Sequence, residues 1–355
     1  MQRLRGAGSR TALLVVCTAL AIAGCGGGSD SGGSGSGGSG GADDSSAKAA
    51  SDKQLKVGLI LYAPKNAEGW PQAGYEAAKR LADEGLIKLS VVENVAQNSN
   101  AVTQVATRMA DDGTDLIIAH SGTWGQAIQD LSQRYPDVNF AWTGTDVKGD
   151  NRENVAAVPF PLYQAAYLAG VLAGGVSKSG VVGGVAGFDI PVCHAMLTAF
   201  QRGAAKTQPN TKMLPSYVGS WTDPSKTKEA VFASADQGAD VFLPCGAEPG
   251  TISGAKDRNS SVFGYIVDES SMAPKAMIGS LLWDPYVPFK RIVDDIRSEQ
   301  FRPGKTYTGG ISDGTVSIKL NPQYGGKIPA AALAEVKRVE ADIKADKFTV
   351  PYVPK

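Results

Sequence analysis

Two tryptophans stand where a flat ligand would need them. Trp70 lies in Asn66-Ala-Glu-Gly-Trp-Pro-Gln72 and Trp221 in Tyr217-Val-Gly-Ser-Trp-Thr-Asp-Pro224. Each follows an apolar run of strand length, at the mouth of a helix. An indole offers a large stacking face, and Asn66 and Glu68 beside Trp70 offer hydrogen bonds. The competing reading is an Asn or Glu cap with a Trp packed on its own lobe. Finding an aromatic in the matching place of both halves favours binding. Asp223, before Pro224, reads as a helix cap.

Other reactive residue types are sparse. His120 ends a strand in Ile118-Ala-His-Ser-Gly122, where it could donate to a ligand or cap the strand end. His194 stands beside Cys193 at a helix start. No Ser-His-Asp spacing, HExxH or CxxC accompanies either histidine, so no catalytic residue and no metal site is assigned. Gly180-Val-Val-Gly-Gly-Val-Ala-Gly187 does not fit G-x-G-x-x-G, so no dinucleotide cofactor is expected. Cys193 and Cys245 follow the first and third strands of the second half. In a 2-1-3 strand order those strands are neighbours, and an exported chain could join the two thiols.

The elements that must position these residues form a repeated series. Lys56–Tyr62, Leu89–Val95, Asp115–Ala119 and Val138–Thr143 read as strands. Helices near Trp70–Glu84, Ala101–Asp112 and Trp124–Arg134 fall between them. The series restarts with strands at Asn154–Val158, Gly180–Ala186, Lys212–Val218, Asp240–Pro244 and Val262–Tyr265. Its helices lie near Leu162–Ser177, Pro191–Thr207, Pro224–Gln237 and Gly250–Asp257. Continuous apolar strands alternating with helices predict parallel sheets covered on both faces. A helix at Val287–Ser298, strand-like stretches at Tyr307–Ile311 and Thr315–Leu320, and a helix at Ala330–Ala345 remain over. They read as segments crossing between two lobes. In open α/β sheets the ligand lies beyond the carboxyl ends of the strands. The segments 63–72, 120–125, 143–146, 187–194, 219–223, 244–250 and 266–270 therefore carry the functional information.

The amino terminus is an address. Arg3, Arg5 and Arg10 precede an apolar run from Thr11 to Ala23, too short to span a bilayer comfortably. It ends in Ile22-Ala23-Gly24-Cys25, which resembles the bacterial lipobox, where the Cys is acylated and begins the mature chain. Residues 26–41 are Gly and Ser except for Asp30. A tether from Cys25 to Ser51 has an r.m.s. reach of roughly 28 Å. The expected organisation is a signal peptide at 1–24 and a tether at 25–51. Lobe 1 is then 55–158 plus about 284–320, and lobe 2 is 159–283 plus about 321–355. The chain would be lipid-anchored on the extracytoplasmic face of the cell membrane.

Charge agrees with that placement. The 355 residues hold 35 Lys+Arg and 35 Asp+Glu. Removing 1–24 removes three Arg and no acid, leaving 32 basic against 35 acidic groups, a net of −3. By its net charge such a product suits neither a nucleic acid nor an anionic lipid as partner.

The body, about residues 55–350, resembles the basic membrane protein family, lipoproteins that serve as substrate-binding subunits of purine-nucleoside ABC importers. Asn66-Ala-Glu-Gly-Trp-Pro-Gln72 stands where the family commonly has Asp-Asp-Lys-Ser-Phe-Asn-Gln. Ala165-Ala-Tyr-Leu-Ala-Gly170 is a near-verbatim family helix. Gly187-Phe-Asp-Ile-Pro-Val192, Tyr217-Val-Gly-Ser-Trp-Thr-Asp-Pro224, Gly238-Ala-Asp-Val241 and Met272-Ala-Pro274 also agree. The resemblance implies a type I periplasmic-binding-protein fold, with two doubly wound Rossmann-like lobes joined by a hinge of crossing segments. It implies a monomer that delivers a small ligand to an ABC permease, not an enzyme. The family's base-stacking aromatics map to Trp70 and Trp221, and its late second-lobe acid maps best to Asp268. Other positions depart. The leading Asp of the first loop becomes Asn66, an acid after the Phe140 strand becomes Gly144, and a Lys becomes Trp283. Acids suited to ribose hydroxyls are partly replaced, so a free purine base is expected as readily as a purine nucleoside. The competing readings are a surface signalling or structural lipoprotein that kept the fold without transport, and an exported oxidoreductase.

Overall fold

The computed structural model describes residues 54–144, 154–221, 223–246, 248–301, 304–324 and 327–354. The signal, Cys25 and the tether lie outside them. The first sheet holds β1 (Leu55–Ile60), β2 (Ile87–Val92), β3 (Leu116–Ala119), β4 (Asn139–Thr143) and β5 (Val155–Val158) in the order β2-β1-β3-β4-β5, all parallel. Its helices are α1 (Trp70–Asp83), α2 (Ser99–Asp111) and α3 (Gly125–Arg134). Central β3 and edge β5 are both buried along their whole length, as a sheet covered on both faces requires.

The second sheet has the order β11-β10-β9-β8-β6-β7. Its strands are β6 (Val181–Ala186), β7 (Lys212–Tyr217), β8 (Val241–Cys245), β9 (Ser261–Ile266), β10 (Met277–Trp283) and β11 (Val316–Leu320). Only β11 runs antiparallel, pairing Gly279 with Leu320 through Trp283 with Val316. The remaining helices are α4 (Tyr163–Val176), α5 (Pro191–Thr207), α6 (Pro224–Asp236), α7 (Glu248–Asp257), α8 (Tyr286–Arg297) and α9 (Ala330–Lys344). Helix α4 is apolar nearly all round because α5 and α9 pack on it. Gly170 and Gly203 allow the α4–α5 approach, since a Cβ on either would meet backbone of the other helix.

Three segments pass between the sheets. The first runs from β5 to α4. The second runs from β10 to α8, which docks on α1 of the first lobe. There Arg80 binds Asp284 at 2.6 Å and the Tyr286 hydroxyl donates to Glu84 at 2.7 Å. The third lies beside β5, where Ala157 N donates to Lys305 O and Tyr307 N to Ala157 O, and then enters β11.

Two expectations need correction. β11 belongs to the second sheet, although the sequence division put residues up to about 320 in lobe 1. It adds an antiparallel edge strand to β10, and local pattern does not say which sheet an edge strand joins. The stretch Tyr307–Ile311 forms no strand. A single bridge lies just before it, between Thr306 and Ala157, and the stretch buries Tyr307 and Ile311 as a crossing segment.

Candidate functional site

A cavity of about 650 Å³ opens where carboxyl ends of both sheets meet. Gly144 after β4 and Phe160 after β5 come from the first lobe. Ile190 and Val192, at the start of α5, come from the second, and Thr308 comes from a crossing segment. The chain end completes the wall through Tyr352, whose ring lies 5.1 Å from Tyr163.

Trp70 begins α1, after Gly69 at φ 86° and before Pro71, which pre-sets the helical φ. Its ring is half-buried. Trp283 lies 4.5 Å away, Phe160 5.0 Å and His120 5.1 Å, all between ring centroids. Trp70 reaches the cavity wall through Gly144 and Phe160 rather than lining it. A Cβ on Gly144 would lie 3.1 Å from the indole. Trp70 thus combines the two readings: it is anchored on its own lobe and it backs the cavity.

His120 is completely buried. Its Nε2 lies 2.8 Å from Trp70 O, while Trp70 Nε1 donates to His120 O at 3.1 Å. Its Nδ1 lies 3.1 Å from Thr143 Oγ1. Burial pushes the imidazole down to about 4, so it is neutral at pH 7. The carbonyl of Trp70 can only accept, so Nε2 carries the proton and Nδ1 accepts from the Thr143 hydroxyl. Both nitrogens are therefore spent inside the protein. His120 holds Trp70 in place through these bonds.

Trp283 is also interior, at 2% exposure, and stacks on His120 at 5.7 Å and 6°. Its Nε1 is buried without a hydrogen-bond partner among the described residues. It sits at the end of β10, where the chain leaves the second sheet, and so forms part of the hinge.

Trp221 differs from Trp70. It is 41% exposed, beside Phe188 at 39%, with ring centroids 5.0 Å apart. Gly187 at the end of β6 and Gly246 at the end of β8 form the shelf beneath it, since a Cβ on either would collide with the indole. Asp223 caps α6 by accepting from Ser225 N and Lys226 N, as its sequence position predicts. The large exposed hydrophobics among the described residues are Phe188, Tyr217, Trp221 and Tyr352. Three of them stand at the carboxyl ends of β6 and β7, and the fourth lines the cavity.

Asp268 is turned away. Its carboxylate meets Lys319 of β11 at 2.7 Å and Ser270 Oγ at 2.6 Å. The Lys319 ammonium, helped by Ser270, holds it at about 2. The neighbouring Glu269 is the buried acid, accepting from Tyr265 N at 2.8 Å. At the end of β9, just before them, Ile266 adopts φ 69°, a left-handed conformation that a β-branched residue takes only under constraint. Asn66 and Glu68 are exposed in the loop before α1, apart from the cavity wall.

Cys193 and Cys245 are joined as a disulfide with Cα atoms 5.6 Å apart. β6 and β8 are adjacent, so the start of α5 is fastened to the end of β8. No group of His, Cys, Asp and Glu among the described residues could hold a metal ion. No described helix is long and apolar enough to cross a membrane.

Sequence reasoning missed Phe160, Tyr163 and Tyr352. The loop 159–161 follows a strand like the other functional loops, but it also carries the chain from one sheet to the other, and nothing local marks it as cavity wall. Tyr352 carries no local signal, because only the return of the chain end across α4 brings it to the cavity.

Two sheets with three crossings and a cavity at their carboxyl ends define a solute-binding protein. The chain of a solved ABC transporter solute-binding protein from Conexibacter woesei DSM 14684 superimposes with a TM-score of 0.70. It is 21% identical, and the match covers 84% of this chain and 99% of that one. The chain belongs to the Bmp family, described as ABC transporter substrate-binding protein PnrA-like, which matches residues 54–347. A purine-binding protein of Brucella abortus (strain 2308) is 29% identical over 244 residues, covering 67% of this chain and 68% of the relative. A putative ABC transporter glucose-binding protein of Haloferax volcanii is 23% identical over 283 residues, covering 79% and 70%. The protein is thus a substrate-binding protein of an ABC transporter.

Proposed function

We propose that the protein binds a planar heteroaromatic ligand, a purine base or purine nucleoside, between its lobes and presents it to an ABC permease. The observation that carries this reading is the exposed aromatic shelf of Trp221 and Phe188 at the carboxyl ends of the second sheet. An indole held on glycines with its ring in water is placed to stack, not to fill a core. Trp70, clamped by His120, supplies the opposing anchor in the first lobe, and closure about the three crossings brings the lobes together. Asn66 and Glu68 remain candidates for polar contacts on closure. Asp268 would first have to leave Lys319. The purine-binding relative supports this ligand class.

A sugar is the second reading, since the name of the Haloferax volcanii relative specifies glucose. Sugars also stack on indoles, but they need several acids or amides around their hydroxyls. The described cavity wall is mostly apolar, and its residues include Phe160, Ile190 and Val192. On the same reading, acylated Cys25 and the Gly/Ser tether hold the protein as a monomer on the extracytoplasmic face of the cell membrane. Tryptophan-fluorescence titration with adenine, guanine, adenosine, guanosine and glucose tests the ligand class. Saturable quenching by purines supports it, and a response to glucose alone overturns it.

A further inference from the structure

A larger hollow, of about 1130 Å³, lies at the opposite end of the second sheet from the interlobe cavity. Its walls are the segments that precede β6, β8, β9 and β10, together with the turn after antiparallel β11. Lys178, Lys256, Lys275 and Lys327 all border it. None of these four lysines makes an ion pair among the described residues. Some other lysines of the same lobe are paired, Lys228 with Asp257 at 2.6 Å and Lys319 with Asp268 at 2.7 Å; what sets these four apart is that they border one hollow. Among the described residues the one acid bordering the hollow is Asp240, and its oxygens already accept hydrogen bonds. Oδ1 accepts from Ser177 Oγ at 2.6 Å, and Oδ2 from the backbone N–H groups of Lys178 and Ser179 at 2.7 and 3.0 Å.

Four ammonium groups around one hollow repel one another, and a chain with balanced charge has no net excess that would force them together. The floor adds hydroxyl groups. Tyr324 is buried with its Oη 2.8 Å from Ser261 Oγ, and Lys327 Nζ stands 5.0 Å from the Tyr324 ring centroid. Ammonium groups around a hydroxyl-bearing floor suit a compact anion with several oxygens and more than one negative charge. We propose that this hollow is a second ligand site, separate from the interlobe cavity, that takes a polyvalent phosphate group. The phosphate can belong to a free polyphosphate or to a lipid headgroup.

Calorimetric titration of the purified protein with sodium tripolyphosphate at low salt tests the site. One saturable event is expected, weakened roughly tenfold in Lys256→Gln/Lys275→Gln and suppressed by 0.5 M NaCl. Purine binding by the same variant should be unchanged, which shows that the variant is folded. Sedimentation with vesicles of phosphatidylglycerol, against phosphatidylcholine, separates the two sources. Co-sedimentation that tripolyphosphate reverses assigns a lipid phosphate, and tripolyphosphate binding alone assigns a free one. Absence of saturable binding in both arms overturns the site. So does equal binding by the variant, or equally tight binding of polyglutamate, which would mark a surface for acidic protein.

Discussion

Acid should loosen the protein through His120. The imidazole is buried against Trp70 and Trp283, and burial pushes it down to about 4. In the unfolded chain a histidine titrates near 6.5. Because the folded value is the lower one, the unfolded chain binds more protons between these values. Stability is therefore full above about pH 6.5, falls as pH drops toward 4, and levels off below. A separation of about 2.5 pH units limits the loss to about 3 kcal/mol, of which ~2.5 falls between pH 7.5 and 4.5. Asp268 hardly contributes in that window, since its carboxyl is held at about 2 and an unfolded carboxyl titrates near 4. Urea unfolding followed by tryptophan fluorescence at the two pH values measures the loss. His120→Gln removes the titration and keeps a donor for the Trp70 carbonyl. It should be less stable at pH 7.5 and have a shallower dependence on pH. Equal losses in the two proteins would refute the claim that the imidazole is buried and neutral.

The remaining predictions concern the site and its supports. Trp70→Ala and Trp221→Ala should each weaken ligand binding by roughly 1–3 kcal/mol in a calorimetric titration. Only Trp70→Ala should also lower the melting temperature, because Trp221 is exposed. Gly187→Ala should lose as much affinity as Trp221→Ala while the lobe stays folded, since the added Cβ displaces the Trp221 ring; unchanged affinity would mean that the ring's seat is irrelevant to binding. Intact mass with and without reductant should show the Cys193–Cys245 bond. Reduction should cost about 4 kcal/mol for a closed loop of 52 residues; two free thiols in the native protein would contradict the bond.

The alternation of strands and helices was legible because most strands are continuous β-branched or apolar runs and most helices keep one apolar stripe. The place of Trp221 was legible for the same reason, as it follows a strand and precedes a capped helix. The partners of Trp70 were not. They come from β3, β10 and the loop after β5, and no local pattern says that these meet. His120 looked able to serve a ligand because its burial depends on Gly74 of α1, which leaves room for the imidazole. Asp268 looked like a ligand acid because Lys319 reaches it only when β11 joins the second sheet. Packing between distant elements, edge-strand placement and charge pairing are long-range choices, and together they account for these differences.

The most direct measurement is the mass of any small molecule released when the natively purified protein is unfolded. Ligand binding in the interlobe cavity predicts a purine base or purine nucleoside, present in wild type and depleted from Trp221→Ala. Release of a sugar, or of a molecule retained equally by Trp221→Ala, would contradict it.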